Sequence, residues 1–337
     1  MDIIIKSFNR PYYLERCLRS IYKYIEGNFK IHVLDDGTPP EYLERIAQLF
    51  PEVTITLSGR YDDKVKSIHS HIAGETKFDQ LFIPTKLWID QVKKSSDIFL
   101  LLEDDFWLVA PIKLDEVKNA MIGNNIVLTK LYWGSSLSNF KATIKKLNTE
   151  LEETIPEIPS IPVSVLRLIF HNKFKINSIL YRLGLIKDGI YFQLPFYSLY
   201  SVASAFFDKR YWLFLWENDQ LKADETFQLL KATTWFRKHK SRYAKAIDEK
   251  VKTSFITSAT NTYKDIDLDI FTFNHCLNQA WLNGDLDPMA NFPVDFSPES
   301  IKPILEKCNY NKCSYSEWLR YIARFKSIYQ SMGVKTD

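Results

Sequence analysis

The chain begins with short apolar runs separated by amphipathic stretches. Ile3 to Ile5 reads as a buried strand, and Leu14, Cys17, Leu18, Ile21 and Ile25 then recur at helical spacing. Asn9 is a fitting N-cap for that helix, with Pro11 in its first turn. Phe29 to Leu34 reads as a second strand, Pro39, Pro40 and Glu41 open a second helix to about Phe50, and Val53 to Leu57 reads as a third strand. This strand–helix alternation predicts a parallel sheet. Ser58 to Thr76 is polar and irregular and reads as a surface loop; His69 and His71 alternate there without an acidic partner at a ligand-like spacing. Phe78 to Lys94 reads as a helix, and Asn125 to Tyr132 as a further strand.

Between these two lies FLLLEDD, Phe99 to Asp105. The apolar run is short, as in a strand buried on both faces, and it runs into three carboxylates. In an extended chain Glu103 and Asp105 point together while Asp104 points away. Two carboxylates at the carboxyl end of a strand suit a hard divalent cation, and ligands of open α/β sheets bind at those ends. An isolated acidic strand end is equally well a solvated terminus, so its surroundings decide.

Those surroundings resemble a known family. The run IIIKSFNRPYYLERCLRSIY…FKIHVLDDGTPPEYLERI is similar to the amino-terminal half of the family 2 glycosyltransferases, with Asn9-Arg10-Pro11, Leu18 with Ser20, and Asp35-Asp36-Gly37 at the matching places. The likeness covers roughly the first fifty residues and resumes at Glu103-Asp104-Asp105. It implies an α/β GT-A fold: a Rossmann-like, mainly parallel sheet flanked by helices, with a helical, aromatic-rich carboxyl-terminal part. Residues 1-135 would form the donor half and residues 136-337 the acceptor half with the terminal helices, packed as one unit.

The resemblance also implies roles. Ser7, Phe8, Asn9, Arg10 and Asp35 or Asp36 would hold the base and ribose of a nucleotide-sugar, as carboxylates accept from a uracil N–H or a ribose hydroxyl. Asp105 would bind Mn²⁺ or Mg²⁺ bridging the donor diphosphate, with Glu103 or Asp104 on ribose or on the metal's shell. The family's Arg-Asn pair is replaced by Thr85-Lys86, which makes Lys86 a donor-binding candidate. Asp224-Glu225, ahead of the periodic Phe227, Leu229 and Leu230, resembles the acidic pair that supplies the general base of inverting members, in reversed order. Glu225 is the first choice, then Asp224, with Glu217 and Asp219 as outsiders; capping of a helix by acids is the plain alternative. Arg237, Lys238, His239, Lys240 and Arg242 form the densest basic cluster, and His239, Lys240 and Arg242 are candidates to close over the diphosphate. His275 is a candidate further metal ligand, against a packed core histidine.

The rest of the second half is less readable. Thr154 to Pro162 reads as an extended connection. Val163 to Lys187 mixes apolar residues with Arg167, Lys173, Lys175, Arg182 and Lys187, a composition that suits an anionic membrane surface or an ordinary basic surface helix. Tyr191 to Phe207 contains strand-like material. Tyr211 to Trp216 is heavily aromatic and suits either the acceptor pocket or the core. Trp318, Leu319, Ile322, Phe325 and Ile328 form a closing amphipathic helix.

Composition narrows this little. A hydrophobic content of 46% with 25% charged residues is that of a globular chain, and a net charge of +3 makes no case for nucleic acid. Cys17, Cys276, Cys308 and Cys313 are irregularly spaced; Cys308 and Cys313 resemble half a zinc site with no matching pair, so all four read as reduced thiols. The amino terminus lacks a signal-peptide core and no apolar run suffices to span a bilayer. The expectation is a cytoplasmic protein, peripheral at the inner face of the membrane if it meets one. It would move a sugar from a nucleotide-sugar, UDP by family likeness, to a hydroxyl of a glycan or lipid-linked acceptor, with inversion, in surface polysaccharide, lipopolysaccharide or glycolipid synthesis. A sugar nucleotidyltransferase lacks support because no Gly-x-Gly loop is present, and a glycoside hydrolase needs separated carboxyls. A degenerate carbohydrate-binding protein is the non-enzymatic alternative.

Overall fold

The computed structural model describes residues 1–79, 82–134, 142–186, 189–217, 224–308 and 310–336. Its centre is a nine-stranded sheet. From one edge the strands are Thr54–Leu57, Lys30–Asp35, Asp2–Ser7, Ile98–Glu103, Ala205–Asp208, Ile126–Lys130, Arg242–Ala246, Leu151–Pro156 and Ala142–Lys146. Ala205–Asp208 and Leu151–Pro156 run against the rest, so the sheet is mixed and mainly parallel. The expected extended connection from Thr154 is, in its first residues, part of this sheet.

The central strands are apolar throughout because helices cover both faces. Ile3, Ile5, Leu100 and Leu102 point into one core, with the helices Pro11–Tyr24, Ile270–Leu282, Pro298–Lys307 and Tyr315–Ser331. Ile4, Phe99 and Leu101 point into the other, with Thr85–Lys94, Lys209–Trp216 and Glu225–Lys238. Period-two side-chain alternation thus divides two cores with one sheet.

Several expectations are corrected here. Ser58 to Thr76 is largely a helix, Tyr61–Ile72, whose inner face is Tyr61, Lys64, Val65 and Ile68. The helix expected from Phe78 begins only at Thr85, after Pro84. Tyr211 to Trp216 lies in a core helix; Tyr211, Trp212 and Trp216 are buried and line neither cavity described below. Cys276 and Cys308 are paired rather than reduced, while Cys17 and Cys313 are free. No described helix is long and apolar enough to cross a membrane.

Candidate active site

Three parallel strands deliver the sequence motifs to one end of the sheet. Ser7 lies in register with Asp35, and Lys6 with Glu103, so the Asn-Arg-Pro loop, the Asp-Asp-Gly turn and the Glu-Asp-Asp stretch emerge side by side. Helix Pro11–Tyr24 starts with Pro at its first turn, and its cap is Arg10 rather than Asn9. Asn9 adopts φ 53°, a left-handed conformation that Asn tolerates. That bend lets its N–H donate to Thr38 Oγ1 at 2.8 Å, while Asn278 Nδ2 donates to its carbonyl and side-chain oxygens.

The bend turns Arg10 back onto the acidic stretch. Its Nη2 donates to Asp104 Oδ1 at 2.5 Å and its Nη1 to Asp105 Oδ2 at 2.8 Å. The Phe8 N–H donates to the other Asp104 oxygen at 3.0 Å. Lys6 and Glu103 pair at 2.6 Å, and Lys6 also lies over the Trp88 ring. Burial raises Glu103, but Lys6 outweighs it and holds the carboxyl below its ordinary value. Burial pushes Asp104 up to about 7 against the pull of Arg10, and raises Asp105 as well. Asp105 keeps one buried oxygen, Oδ1, with no hydrogen-bond partner among the described residues.

Two cavities meet at this clasp. The smaller, about 340 Å³, is lined by Lys6, Ser7, Phe8, Asp36, Lys64, Trp88 and Asp104 among others. The larger, about 660 Å³, is lined by Asp105, Lys130, Tyr132, Trp133, Tyr197, Glu225 and Tyr329 among others. Arg10, Glu103 and Ala259 line both. The strand ends at Glu103, which borders both spaces, and the turn that follows sends Asp104 to the smaller cavity and Asp105 to the larger.

Asp36 and Asp35 divide sharply. Asp36 pairs with buried Lys64 at the wall of the smaller cavity, and burial raises its carboxyl while Lys64 draws it back. Asp35 is fully buried and spends its oxygens on its own turn, accepting from the N–H groups of Gly37 and Thr38 and from Thr38 Oγ1 at 2.6 Å. Gly37 is required there: φ is +135°, and a Cβ would stand 2.8 Å from Lys64 Cβ. Asp35 and Asn9 thus shape the loops and line neither cavity.

Glu225 begins helix Glu225–Lys238, with Asp224 as its N-cap accepting from the Phe227 N–H. Glu225 is left to face the larger cavity, where Tyr197 donates to its Oε2 at 2.7 Å. Asp219 lies outside the described residues, and Glu217 is at the far end of Lys209–Trp216, where its carbonyl accepts from Lys231.

Other candidates lie elsewhere. Lys86 is exposed and paired with Asp90 on its own helix. Arg242 pairs with Glu153 and Asn124 at the start of its strand, in register with Ile126, the opposite end of the sheet from the cavities. His239 stacks on Trp235 and the Lys240 carbonyl accepts from Asn125, so this basic group does not reach the clasp. His275 lines a separate cavity with Cys276, Cys308 and Tyr310, away from Asp105. Conversely, Lys6, Lys64, Lys130, Tyr197 and Tyr329 were not singled out by sequence; only Lys6 and Lys130 were marked, as isolated lysines within apolar runs.

Residues 2–73 match the family model described as Glycosyl transferase family 2. No curated protein matches the chain significantly. Among solved structures, residues 1–349 of S. aureus TarS in complex with UDP-GlcNAc are 11% identical, with 98% of this chain and 72% of that one covered and a TM-score of 0.41. The galactosyltransferase LgtC in complex with donor and acceptor sugar analogues is 13% identical over 69% of this chain and 70% of that one, with a TM-score of 0.31. The matched segment contains Asn9-Arg10-Pro11 and Asp35-Asp36-Gly37, so the amino-terminal part of this sheet is similar in sequence to the family 2 glycosyltransferases.

Proposed function

We propose that the smaller cavity takes the nucleotide-sugar donor, UDP-linked, and the larger an acceptor glycan. The observation that carries this is the shared wall: Arg10 and Glu103 border both spaces, and Asp105 and Glu225 line the acceptor side together. Phe8, Phe82 and Trp88 offer apolar surface for a base, and Asp36 offers an acceptor for ribose or base donors. Tyr132, Trp133, Tyr197 and Tyr329 suit sugar faces and hydroxyls in the other.

The charged lining of the donor space balances, with Lys6, Arg10 and Lys64 against Asp36, Glu103 and Asp104. A diphosphate brought there needs further positive charge. The partnerless Asp105 Oδ1 fits a divalent cation, Mn²⁺ or Mg²⁺, as its protein ligand. Bound there, such an ion would stabilise negative charge on the leaving diphosphate. Glu225 takes the proton from the acceptor hydroxyl as that oxygen attacks the anomeric carbon, and Tyr197 fixes the carboxylate's direction. This arrangement supports inversion, and Asp224 is reserved for capping.

The acceptor side also borders a surface suited to an anionic membrane. Between residues 163 and 186 there is no acid, and Arg167, Lys173, Lys175 and Arg182 are all exposed. Phe174 is 84% exposed, with Leu183 and Leu185 also strongly exposed. Each basic group near an anionic bilayer contributes about 1 kcal/mol. The chain leads from there into Leu194–Leu199, which lines the larger cavity, so a lipid-linked acceptor in surface glycan synthesis is the substrate class this surface favours.

The first experiment is calorimetry of UDP-, GDP-, CMP- and TDP-sugars with and without Mn²⁺. One UDP-sugar binding only with the metal supports the reading, and no binding by any of them ends it. Co-sedimentation with phosphatidylglycerol-containing vesicles, lost in Phe174→Glu/Leu183→Glu and at high salt, tests the surface. Equal sedimentation of wild type and variant removes the membrane role.

A further inference from the structure

The chain has four cysteines, and three of them converge. Cys276 stands on helix Ile270–Leu282, Cys308 is the C-cap of helix Pro298–Lys307, and Cys313 lies in the turn just before helix Tyr315–Ser331. The sequence separations are 32 and 5 residues, so the local pair Cys308 and Cys313 shows only half of the cluster. All three sulfurs lie within 4.8 Å of one another, and Cys276 Sγ is 3.6 Å from Cys313 Sγ. Cys276 and Cys313 are buried.

We propose that the reduced chain binds a zinc ion through Cys276, Cys308 and Cys313. A zinc–thiolate bond of about 2.3 Å places tetrahedral sulfurs about 3.8 Å apart, close to the 3.6 Å between Cys276 and Cys313. A disulfide between Cys276 and Cys308 uses two of the three sulfurs and leaves Cys313 as a buried thiol packed against the pair. A metal uses all three. The fourth position faces the cavity of about 490 Å³ that Cys276 and Cys308 line with His275, Asp285 and Tyr310, where a water can complete the tetrahedron. Thiolates select a soft or borderline ion, so this site takes zinc and leaves Mn²⁺ or Mg²⁺ to the carboxylates at Asp105.

The consequence is structural and separate from sugar transfer. The three ligands join the helix that holds Asn278 against Asn9 to the segment that launches the terminal helix, whose Phe325, Ile328 and Tyr329 line the larger cavity. The Asp269 N–H already donates to the Lys312 carbonyl at 2.8 Å, so the two segments are in register before any ion binds.

The test uses the whole chain, purified under a reductant and without chelator. Zinc is counted by elemental analysis, and the metal-free reduced protein is titrated with Co²⁺. The expected results are one zinc per chain and an intense thiolate-to-cobalt charge-transfer band. Both should be lost in Cys276→Ala and Cys313→Ser and kept in Cys17→Ala. Cys313→Ser alters a turn rather than a helix, and circular dichroism establishes that each variant is folded. If the reduced wild type shows no cobalt band, or the folded Cys313→Ser protein shows the same band, the site is not a metal site. In that case peptide mapping without reductant should find Cys276 linked to Cys308.

Discussion

Tyr197 donates its hydroxyl to Glu225 at 2.7 Å on the wall of the cavity that Asp105 also lines. The bond spans 28 residues and sets a carboxylate that would otherwise swing freely at a helix start. A general base is worth about 100- to 10,000-fold, so if Glu225 has the proposed role, Glu225→Gln should lower turnover by that factor and leave donor affinity unchanged. Tyr197→Phe should cost less, because the base survives and only its aim is lost. Turnover and donor binding measured side by side decide this; an active Glu225→Gln enzyme takes the base role from that residue.

Asp105 contributes differently. Its Oδ2 is held by Arg10 and its Oδ1 is buried without a partner among the described residues, so an amide in its place keeps the shape but gives up the charge a cation needs. Asp105→Asn should abolish the Mn²⁺-dependent part of UDP-sugar binding while leaving any metal-independent part. Calorimetry with and without chelator reads the two parts. Metal dependence equal to that of the wild type would place the cation elsewhere.

Arg10 answers to stability before function. Its guanidinium is buried between Asp104 and Asp105 and contributes to both cavity walls. Arg10→Leu leaves two buried carboxylates facing each other and should cost about 3–5 kcal/mol in urea unfolding. Arg10→Lys, a point charge, cannot serve both acids with the planar fork and should recover only part of that. A loss under about 1 kcal/mol would mean that solvent reaches this clasp.

How much of this was readable beforehand follows from where each signal lies. Asn9-Arg10-Pro11, Asp35-Asp36-Gly37 and Glu103-Asp104-Asp105 are local, and a parallel sheet brings the carboxyl ends of adjacent strands together, so the order of motifs along the chain sufficed. The clasp was not readable, because Arg10 meets acids 94 and 95 residues away and no short-range pattern encodes that. Helix Tyr61–Ile72 escaped because its inner stripe contains Lys64, whose charge interrupts the apolar periodicity while its amine is satisfied by Asp36 and the Phe82 carbonyl. The basic group at 237–242 was misplaced for the converse reason. A dense run of charge says that a segment is solvated but not at which end of the sheet its strand begins. Asp224 and Glu225 were legible as a pair, and only the helix geometry assigns one to the cap and the other to the cavity.

Lys130 gives a pH prediction with a definite sign. It ends strand Ile126–Lys130, is buried, and lines the larger cavity; burial lowers its ammonium from 10.5 to about 7. Between those values the unfolded chain binds a proton on this amine that the folded chain does not. Stability therefore rises with pH across that window, and the contribution is lost as pH falls through about 7. The limiting slope is about 1.4 kcal/mol per pH unit for one proton. Lys130→Met keeps the apolar length and removes the titration. Urea unfolding of both proteins at about pH 7 and about pH 9 should show the wild type gaining on the variant by about 1–3 kcal/mol at the higher pH. Taking the difference cancels groups common to both, including Asp104, whose raised carboxyl acts in the opposite sense as pH rises through about 7. A difference that stays flat would mean that the Lys130 ammonium remains charged in the fold, stabilised at the wall of the larger cavity.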